Sequence, residues 1–521
     1  MMVKSTVELC EEVSARPVVA RRAQGEKSGR RSYFLYFAAL LAMLLTGLGW
    51  AVASPVASSP DDDYHLGSIW CPRPVAEHCQ TTEGQDGTWI SVPEGVSPRA
   101  MTCYSFETAK SAACASGMKD DRYTYSFRYD DGGYPVGYYQ FHHLLIGKDI
   151  ESSVVRMRAV NVLISVILIG AISAMSRPSV RRAIGLAVAA CWFPMGVYFI
   201  ASNNPTSWAI AGLFSFTTAA FSAAQSHGWR RWALISAAAI GAILCLSSRF
   251  DVSFYMLVVA LALTFAIRWN FRSRWPEFAF MWMAGLWGVY SMLGTTNQTA
   301  LPTNGGGSGG GAGFSLPNFL WALASAPRYL AGFYGSSWSP GWVDVPTGEH
   351  APYALSLIAA GAVLMVALRR GSLRKWFAAL VIFGALVCLP AVFHGAGVFP
   401  VLFGYQARYI LPLFGVLFFL LLALDLDDTA LLSRPQHVAI VLLIGVAHSL
   451  TLYITILRFT RGVLGGQPRT LLNGIEWWWD MPVSPFAVWV GTSLTAFVFL
   501  AIALSVARQN LSFNTNSGTR V

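Results

Sequence analysis

Apolar segments alternate with short polar segments along most of the chain. A helix needs about 20 mostly apolar residues to cross a bilayer, and segments of that kind recur throughout the sequence. Their centres lie near residues 44, 166, 192, 216, 239, 260, 285, 360, 384, 416, 447 and 495. The pattern therefore predicts an all-α integral membrane protein with about 12 transmembrane helices.

Longer polar segments divide this pattern into units. In order, we expect a disordered cytoplasmic tail (1–33), the first transmembrane helix (34–54), an extracytoplasmic loop subdomain (55–153), a transmembrane bundle (154–294), a second extracytoplasmic loop (295–351), a second bundle (352–506) and a cytoplasmic tail (507–521). The second loop contains NGGGSGGGAG, which is typical of a flexible linker. An apolar stretch with Pro317 and Pro327 follows it, and we expect short helices there at the membrane interface.

Composition and charge support a membrane location. The 521 residues are 54% hydrophobic and 12% charged, whereas a soluble domain carries about 25% charged residues. The formal net charge is +10, but the basic residues cluster in short loops on alternate sides of the predicted helices. Such clusters mark cytoplasmic loops. They therefore place both termini in the cytoplasm and argue against nucleic-acid binding.

The cysteines indicate an oxidised outer loop. Four of the eight cysteines lie in residues 55–153, namely Cys71, Cys79, Cys103 and Cys114. Cysteines in an exported loop tend to form disulfides, so we expect two bridges. Four cysteines allow three pairings, and the sequence does not choose among them.

Charged and polar residues collect at the ends of helices that the topology places on the outer face. They are Asp61, Asp62, Asp63 and His65; Arg249 and Asp251; Asp344; and Gln406 and Arg408. The topology predicts that these clusters form one outward-facing polar cavity. Its carboxylates, Asp61 and Asp62 in particular, could act as a general base or hold a divalent cation such as Mg²⁺ or Mn²⁺.

The other side chains of this predicted cavity suit a lipid-linked sugar phosphate. Arginine binds phosphate in bidentate fashion, and aromatic rings could stack on sugar faces; the candidates are Tyr134, Tyr138, Tyr139 and Trp342. Each feature also has a plain structural interpretation. The acidic run could be a solvated loop, Arg249 could pair with Asp251, Arg408 could anchor a helix end, and the aromatic rings could belong to an interfacial belt.

Four short motifs resemble those of the bacterial membrane family known as domain of unknown function 2142. SPDDDYHL is similar to its Pro-Asp-Glu-x-x-His signature, with Asp62 in place of Glu. YPVGYY, SNNPTSW and GYQARYILP resemble three further elements in the same order. The matching residues are Pro60, Asp61, Asp62 and His65; Pro135, Tyr138 and Tyr139; Asn204 and Pro205; and Gly404, Gln406, Arg408, Tyr409 and Pro412.

The family looks allied to the GT-C superfamily of glycosyltransferases, which use polyprenyl-phosphate sugars on the outer face of a membrane. The resemblance thus implies a GT-C-like fold in a bacterial plasma membrane, with membrane lipids, a polyprenyl-phosphate-linked sugar and a cell-envelope glycan, lipid or protein as partners. The predicted roles are catalysis by Asp61, Asp62 and His65, binding of the donor phosphate by Arg249, Gln406, Arg408 and Tyr409, and substrate binding by Asp251, Asn204, Tyr138, Tyr139, Trp342 and Asp344. Asp63 and the cysteine-bearing insertion depart from the family pattern, so the choice of catalytic carboxylate stays open.

Three functions are compatible with these residues. The first is a glycosyltransferase that transfers a sugar from a polyprenyl-phosphate donor to an envelope acceptor. The alternative is a transporter or flippase of lipid-linked glycans, which would need polar groups or broken helices at mid-membrane; few such residues occur. The third is a structural partner without chemistry.

Overall fold

The computed structural model describes residues 17–84, 87–115, 121–293, 314–335, 339–348, 351–369, 371–398, 404–424, 431–463 and 469–508. Most of them are helical. The Gly-rich run, the C-terminal tail from residue 509 and residues 1–16 lie outside these ranges. The first helix begins at Pro17, within the segment 1–33 for which a disordered tail is predicted.

Helices follow one another through both predicted bundles. In chain order they are α1 (Pro17–Val52), α2 (Asp62–Trp70), α3 (Arg99–Thr102), α4 (Gly137–His143), α5 (Ile150–Met175), α6 (Pro178–Trp192), α7 (Met195–Ile200), α8 (Thr206–Ala223), α9 (Gly228–Ser248), α10 (Phe250–Ala266), α11 (Phe271–Leu293), α12 (Leu316–Ala324), α13 (Ala326–Gly332), α14 (Ala351–Ala367), α15 (Leu373–Gly395), α16 (Leu411–Ala423), α17 (Arg434–Arg461) and α18 (Pro485–Ser505). Every predicted centre falls within one of these helices, and residue 192 is the last residue of α6.

Six stretches in these helices are long and apolar enough to cross a membrane. They are 33–52, 150–175, 228–248, 373–395, 434–461 and 485–508. Three further apolar helices, α10, α14 and α16, have only 13 to 17 residues. The chain is therefore a helical protein with several membrane-spanning segments, and the number twelve stays a prediction.

Glycines allow the helices of the first bundle to touch backbone to backbone. A Cβ atom on Gly241 of α9 would lie 2.6 Å from the Phe216 backbone nitrogen of α8. One on Gly288 of α11 would lie 2.4 Å from the Ser253 carbonyl oxygen of α10. Because real Cβ contacts are not this short, these positions accept only glycine at the present helix spacing. Helices α8 to α11 consequently form one tightly packed unit.

The loop between α1 and α5 is an ordered unit with its own core. It contains a three-stranded antiparallel sheet in the order β1 (Thr81–Gly84), β2 (Gly87–Pro93) and β3 (Tyr123–Ser126), which adds short strands to the predicted all-α architecture. Two disulfides, Cys71–Cys79 and Cys103–Cys114, close its loops, and this settles the pairing that the sequence left open. Ile90 and Val92 of β2 are fully buried, in one core with side chains of α2 and α4.

Candidate functional site

Asp61 stands at the start of the short helix that follows the first membrane helix. Its backbone has φ 60° and ψ 18°, in the left-handed region, which aspartate tolerates better than most residues. This turn directs the side chains of Asp61 and Asp62 into different surroundings. The Asp61 side chain is 38% exposed, whereas that of Asp62 is fully buried. Of these two adjacent carboxylates, only Asp61 faces an accessible space.

Arginines from two distant segments contact the Asp61 carboxylate. Arg408 precedes α16 and donates from Nη2 to Asp61 Oδ2 at 2.6 Å. Arg128 follows β3, and its Nη2 lies 3.8 Å from Asp61 Oδ1. Burial raises the pKa of Asp61, but the charge and hydrogen bond of Arg408, together with the charge of Arg128, outweigh it, so the net pKa is below the usual value. Asp61 is thus a carboxylate held in its ionised form by cations.

A third arginine, Arg249, reaches the same place from the junction of α9 and α10. Its guanidinium carbon lies 4.2 Å from the centre of the Tyr409 ring, and that of Arg408 lies 5.2 Å from the same ring. Arg249 also forms a bidentate pair with Asp251, at 3.0 and 2.9 Å. The structure therefore brings Asp61, Arg249, Arg408 and Tyr409 together, and it places Asp251 behind Arg249.

His65 lies beside this group, inside the protein. It is one turn along α2 from Asp61, and its Nδ1 lies 2.9 Å from the Tyr139 hydroxyl oxygen. Burial lowers the pKa of His65 to about 3, even though Asp61 acts to raise it. The ring is therefore neutral near pH 7. Its Nε2 is buried and has no hydrogen-bond partner among the described residues.

Asp62 and Asp63 serve the protein's own structure. Asp62 accepts a hydrogen bond from the Ser59 backbone nitrogen, and its Oδ2 lies 3.9 Å from Nη2 of the fully buried Arg158. Burial raises the pKa of Asp62 to about 7, against the lowering effect of Arg158. Asp63 pairs with Arg128 at 2.9 Å and so anchors that arginine beside Asp61. The predicted catalytic position of Asp62 is not reachable by substrate in this conformation.

Asn204, Tyr138 and Tyr139 support the site from behind. Asn204 donates to the Pro60 carbonyl oxygen at 3.0 Å, directly before Asp61. Tyr138 and Tyr139 are both buried; Tyr138 accepts a hydrogen bond from Asn161. Their rings are covered by protein and cannot stack on a sugar as predicted. Tyr64 and Tyr134 are the partly exposed aromatic residues beside His65.

Asp344 and Trp342 belong to a separate buried group. Asp344 Oδ2 accepts from Arg458 Nη2 at 2.6 Å, and the Trp342 indole nitrogen donates to the Ala57 carbonyl oxygen at 3.0 Å. Both side chains are nearly inaccessible. The structure does not bring them to the open site, because a charged partner and a backbone acceptor hold them in the interior.

The surroundings of the carboxylates do not fit a divalent cation. Asp61 lies among arginine guanidinium groups, and Asp62 points into the interior towards another. Cations repel one another in such a space, and Mg²⁺ or Mn²⁺ prefers a shell of several oxygen ligands. Within the described part of the chain, no group of three His, Cys, Asp or Glu side chains could hold a metal ion.

The site is suited to an anion. Arg408 Nε, on the side chain that contacts Asp61, is buried and has no partner in the described ranges. An incoming phosphate would meet guanidinium groups from three segments, next to a carboxylate that is already ionised. Such a set binds phosphate and can accept a proton close to it.

Sequence reasoning missed the basic residues that hold this arrangement. Arg158, within a membrane-spanning helix, donates to the carbonyl oxygens of Ala51, Ser54 and Pro55, at 2.7 to 3.1 Å. An arginine inside an apolar helix is expensive and marks a functional or structural constraint, which was a usable signal. Arg128 carried no such signal, because its segment has no recognisable spacing.

Comparison with known proteins gives one family. The sequence model of a family described as "Predicted membrane protein (DUF2142)" matches residues 44–417. This range contains Asp61, Arg128, Arg249 and Arg408. No curated protein and no solved structure matches the chain.

Proposed function

Since the chain belongs to the DUF2142 family of predicted membrane proteins, we propose a function that operates at a membrane surface: transfer of a sugar from a polyprenyl-phosphate donor to a cell-envelope acceptor. The observation that carries the proposal is the contact of Asp61 with Arg408 beside Arg249 and His65. We place this chemistry on the extracytoplasmic face of a bacterial plasma membrane, in a GT-C-like bundle of about twelve spans with cytoplasmic termini.

The donor phosphate would bind the arginines. A phosphate oxygen that accepts a hydrogen bond from Arg408 would displace Asp61. Of the groups that accept from Arg408, Asp61 is the one that faces the open space. Arg249, which contacts the same Tyr409 ring as Arg408, would contribute a second guanidinium. Both groups then stabilise the charge that grows on the phosphate as the bond to the sugar breaks.

Asp61 would act as the general base. While paired with Arg408, its pKa is low and it is a poor proton acceptor. Once phosphate competes for that arginine, the carboxylate loses its nearest cation, and its pKa rises. The acceptor hydroxyl gives its proton to Asp61, its oxygen bonds to the anomeric carbon, and the polyprenyl phosphate leaves with the electron pair. Attack opposite the leaving group inverts the anomeric centre.

The test separates chemistry from folding. Purified protein is incubated with polyprenyl-phosphate sugars and with acceptors taken from the envelope glycans of the source organism. Asp61→Asn is expected to lower transfer by at least about a hundredfold, the usual range of general-base catalysis. Asp121→Asn, an exposed acid in the same loop, is the matched control and should retain full transfer.

The result also distinguishes the alternatives. A transporter or flippase would move labelled lipid-linked glycan across reconstituted vesicles without any acceptor, and it would form no new glycosidic bond. A purely structural partner would tolerate Asp61→Asn, Arg249→Gln and Arg408→Gln in the envelope glycan profile of the source organism. Full transfer by Asp61→Asn would refute the proposed base.

A further inference from the structure

A groove of about 630 Å³ lies between α9 and α11, on an exposed apolar face of the first bundle. Its walls are apolar. Ala239, Ala242 and Leu246 line it from α9, and Ala284 and Trp287 are among the residues that line it from α11. The volume falls within the range of about 300–1,000 Å³ that is usual for ligand sites. A lipid-facing surface is ordinarily apolar, but a concave one of this size can hold a chain in a fixed position.

The groove ends close to Arg249 in the chain. Helix α9 ends at Ser248, and Arg249 follows it in an extended conformation, three residues beyond the groove residue Leu246. On the other wall, Gly288 of α11 touches Ser253 of α10, and the Ser253 hydroxyl bonds the Arg249 carbonyl oxygen. The outer end of the groove is therefore level with Arg249.

Polar and apolar parts of a lipid would both find partners here. The arginine end offers Arg249 and Arg408, together with the unpartnered Nε of Arg408, whereas the groove offers only hydrocarbon and aromatic surface. One chain in the groove suffices to place a phosphate at Arg249. A diacyl phospholipid would have to leave its second chain outside the groove.

We infer that the α9–α11 groove binds the polyisoprenoid chain of a polyprenyl phosphate whose phosphate contacts Arg249 and Arg408. This inference rests on the proposed function for the identity of the lipid, but it concerns binding and not transfer. Inside a bilayer the groove competes with lipid tails that are equally apolar, so van der Waals packing of the chain against the groove walls stabilises this binding. A side chain that fills the groove would exclude the chain, and we expect binding to weaken by about tenfold.

The experiment measures binding alone. Purified protein in nanodiscs is photolabelled with a long-chain polyprenyl monophosphate that carries a diazirine on its chain. Ala239→Phe and Ala284→Phe, which fill the groove, should each lower labelling by about tenfold. Ile240→Phe, on the same helix but outside the groove, should label like the parent protein. All variants are first checked for a single size-exclusion peak.

Trp287→Ala provides a second variant in case the groove-filling ones do not fold. It removes an exposed wall of the groove and should lower labelling by about two- to fivefold. Unlabelled polyprenyl phosphate should compete, and neither polyprenol nor phosphatidylglycerol should compete at the same concentration.

Three labelling results would overturn the inference: unchanged labelling of the groove variants, equal competition by phosphatidylglycerol, or equal competition by polyprenol. The first would mean that the polyprenyl chain lies elsewhere, the second that ordinary membrane lipid fills the groove, and the third that the arginines take no part. Specific labelling in a protein without transfer activity would leave the inference intact and refute the enzymatic proposal. Full transfer by Ala239→Phe at low donor concentration would refute the inference and leave the enzymatic proposal intact.

Discussion

Asp344 is predicted to bind substrate, but its buried pair with Arg458 indicates a structural role that can be tested. The two side chains are 4% and 0% exposed, and they are joined at 2.6 Å. Arg458 also donates to the carbonyl oxygens of Tyr104 and Lys110, at 2.6 and 2.7 Å. Both carbonyls lie within the loop that the Cys103–Cys114 disulfide closes, so one side chain ties α17 to the segment between α1 and α5.

The cost of breaking this pair can be worked from the contacts. Arg458→Met leaves a buried carboxylate without its cation, and Asp344→Leu leaves a buried guanidinium without its anion, each at about 3–5 kcal/mol. The double variant leaves no unpaired charge. Its main cost is the loss of donors to two carbonyl groups, about 1–3 kcal/mol each. We therefore expect the two single effects to exceed the double effect by at least about 2 kcal/mol.

The assay is the apparent melting temperature of purified protein in detergent, at one fixed scan rate. With an unfolding entropy of about 2.1 cal/mol/K per residue, 1 kcal/mol shifts the melting temperature by about 1 °C for this chain. Each single variant should melt about 3–5 °C below the parent protein. Arg461 is a more exposed arginine on the same helix, and the control variant Arg461→Ala should melt within about 1 °C of the parent protein. Strictly additive variants, or an Asp344→Leu variant that is stable but no longer binds substrate, would refute the structural role.

Three other predictions concern the site and the loop. The folded-state pKa of Asp61 is lowered, so the ionised carboxylate stabilises the protein above its unfolded pKa of about 4. This stabilisation is lost as pH falls through the lowered pKa. Asp61→Asn should therefore reduce the fall of the melting temperature at acid pH. His65 has a depressed pKa of about 3 against about 6.5 unfolded, so it destabilises the fold progressively as pH falls from about 6.5 to 3. His65→Gln should reduce that loss, and an unchanged acid profile would contradict the buried neutral ring. Replacement of Cys103 and Cys114 by alanine should lower stability by about 2–4 kcal/mol, measured by melting under non-reducing conditions, and equal melting of reduced and oxidised parent protein would contradict it.

The hydrophobic pattern predicted the helices well because membrane helices obey a simple constraint. A span must satisfy its backbone hydrogen bonds internally and bury about 20 apolar residues in lipid, and both requirements are visible in the sequence. The first bundle also depends on close glycine contacts such as Gly288 against Ser253. Such contacts depend on the partner helix, so no pattern within α11 alone predicts them.

The site was only partly predictable, for a different reason. Position at the outer ends of helices predicted that Asp61, Arg249 and Arg408 share one face, since topology fixes the side of the membrane. It could not predict which of them point outwards. Arg128 comes from the segment between α1 and α5, where no membrane-spanning constraint applies. Asp344, although on the predicted face, turns inwards because Arg458 offers it a buried partner.

The contrast between Asp61 and Asp62 follows from one backbone angle. At φ 60° the chain reverses before α2, so that position 61 faces the arginines of the open space while position 62 faces Arg158 in the interior. Asn204 holds this turn through the Pro60 carbonyl oxygen, and Arg158 fixes the end of α1 before it. The acidic run is therefore divided by geometry into one accessible carboxylate and two that secure arginines. A chemical role for the run has to be assigned to Asp61, with Asp62 and Asp63 as the residues that keep it in place.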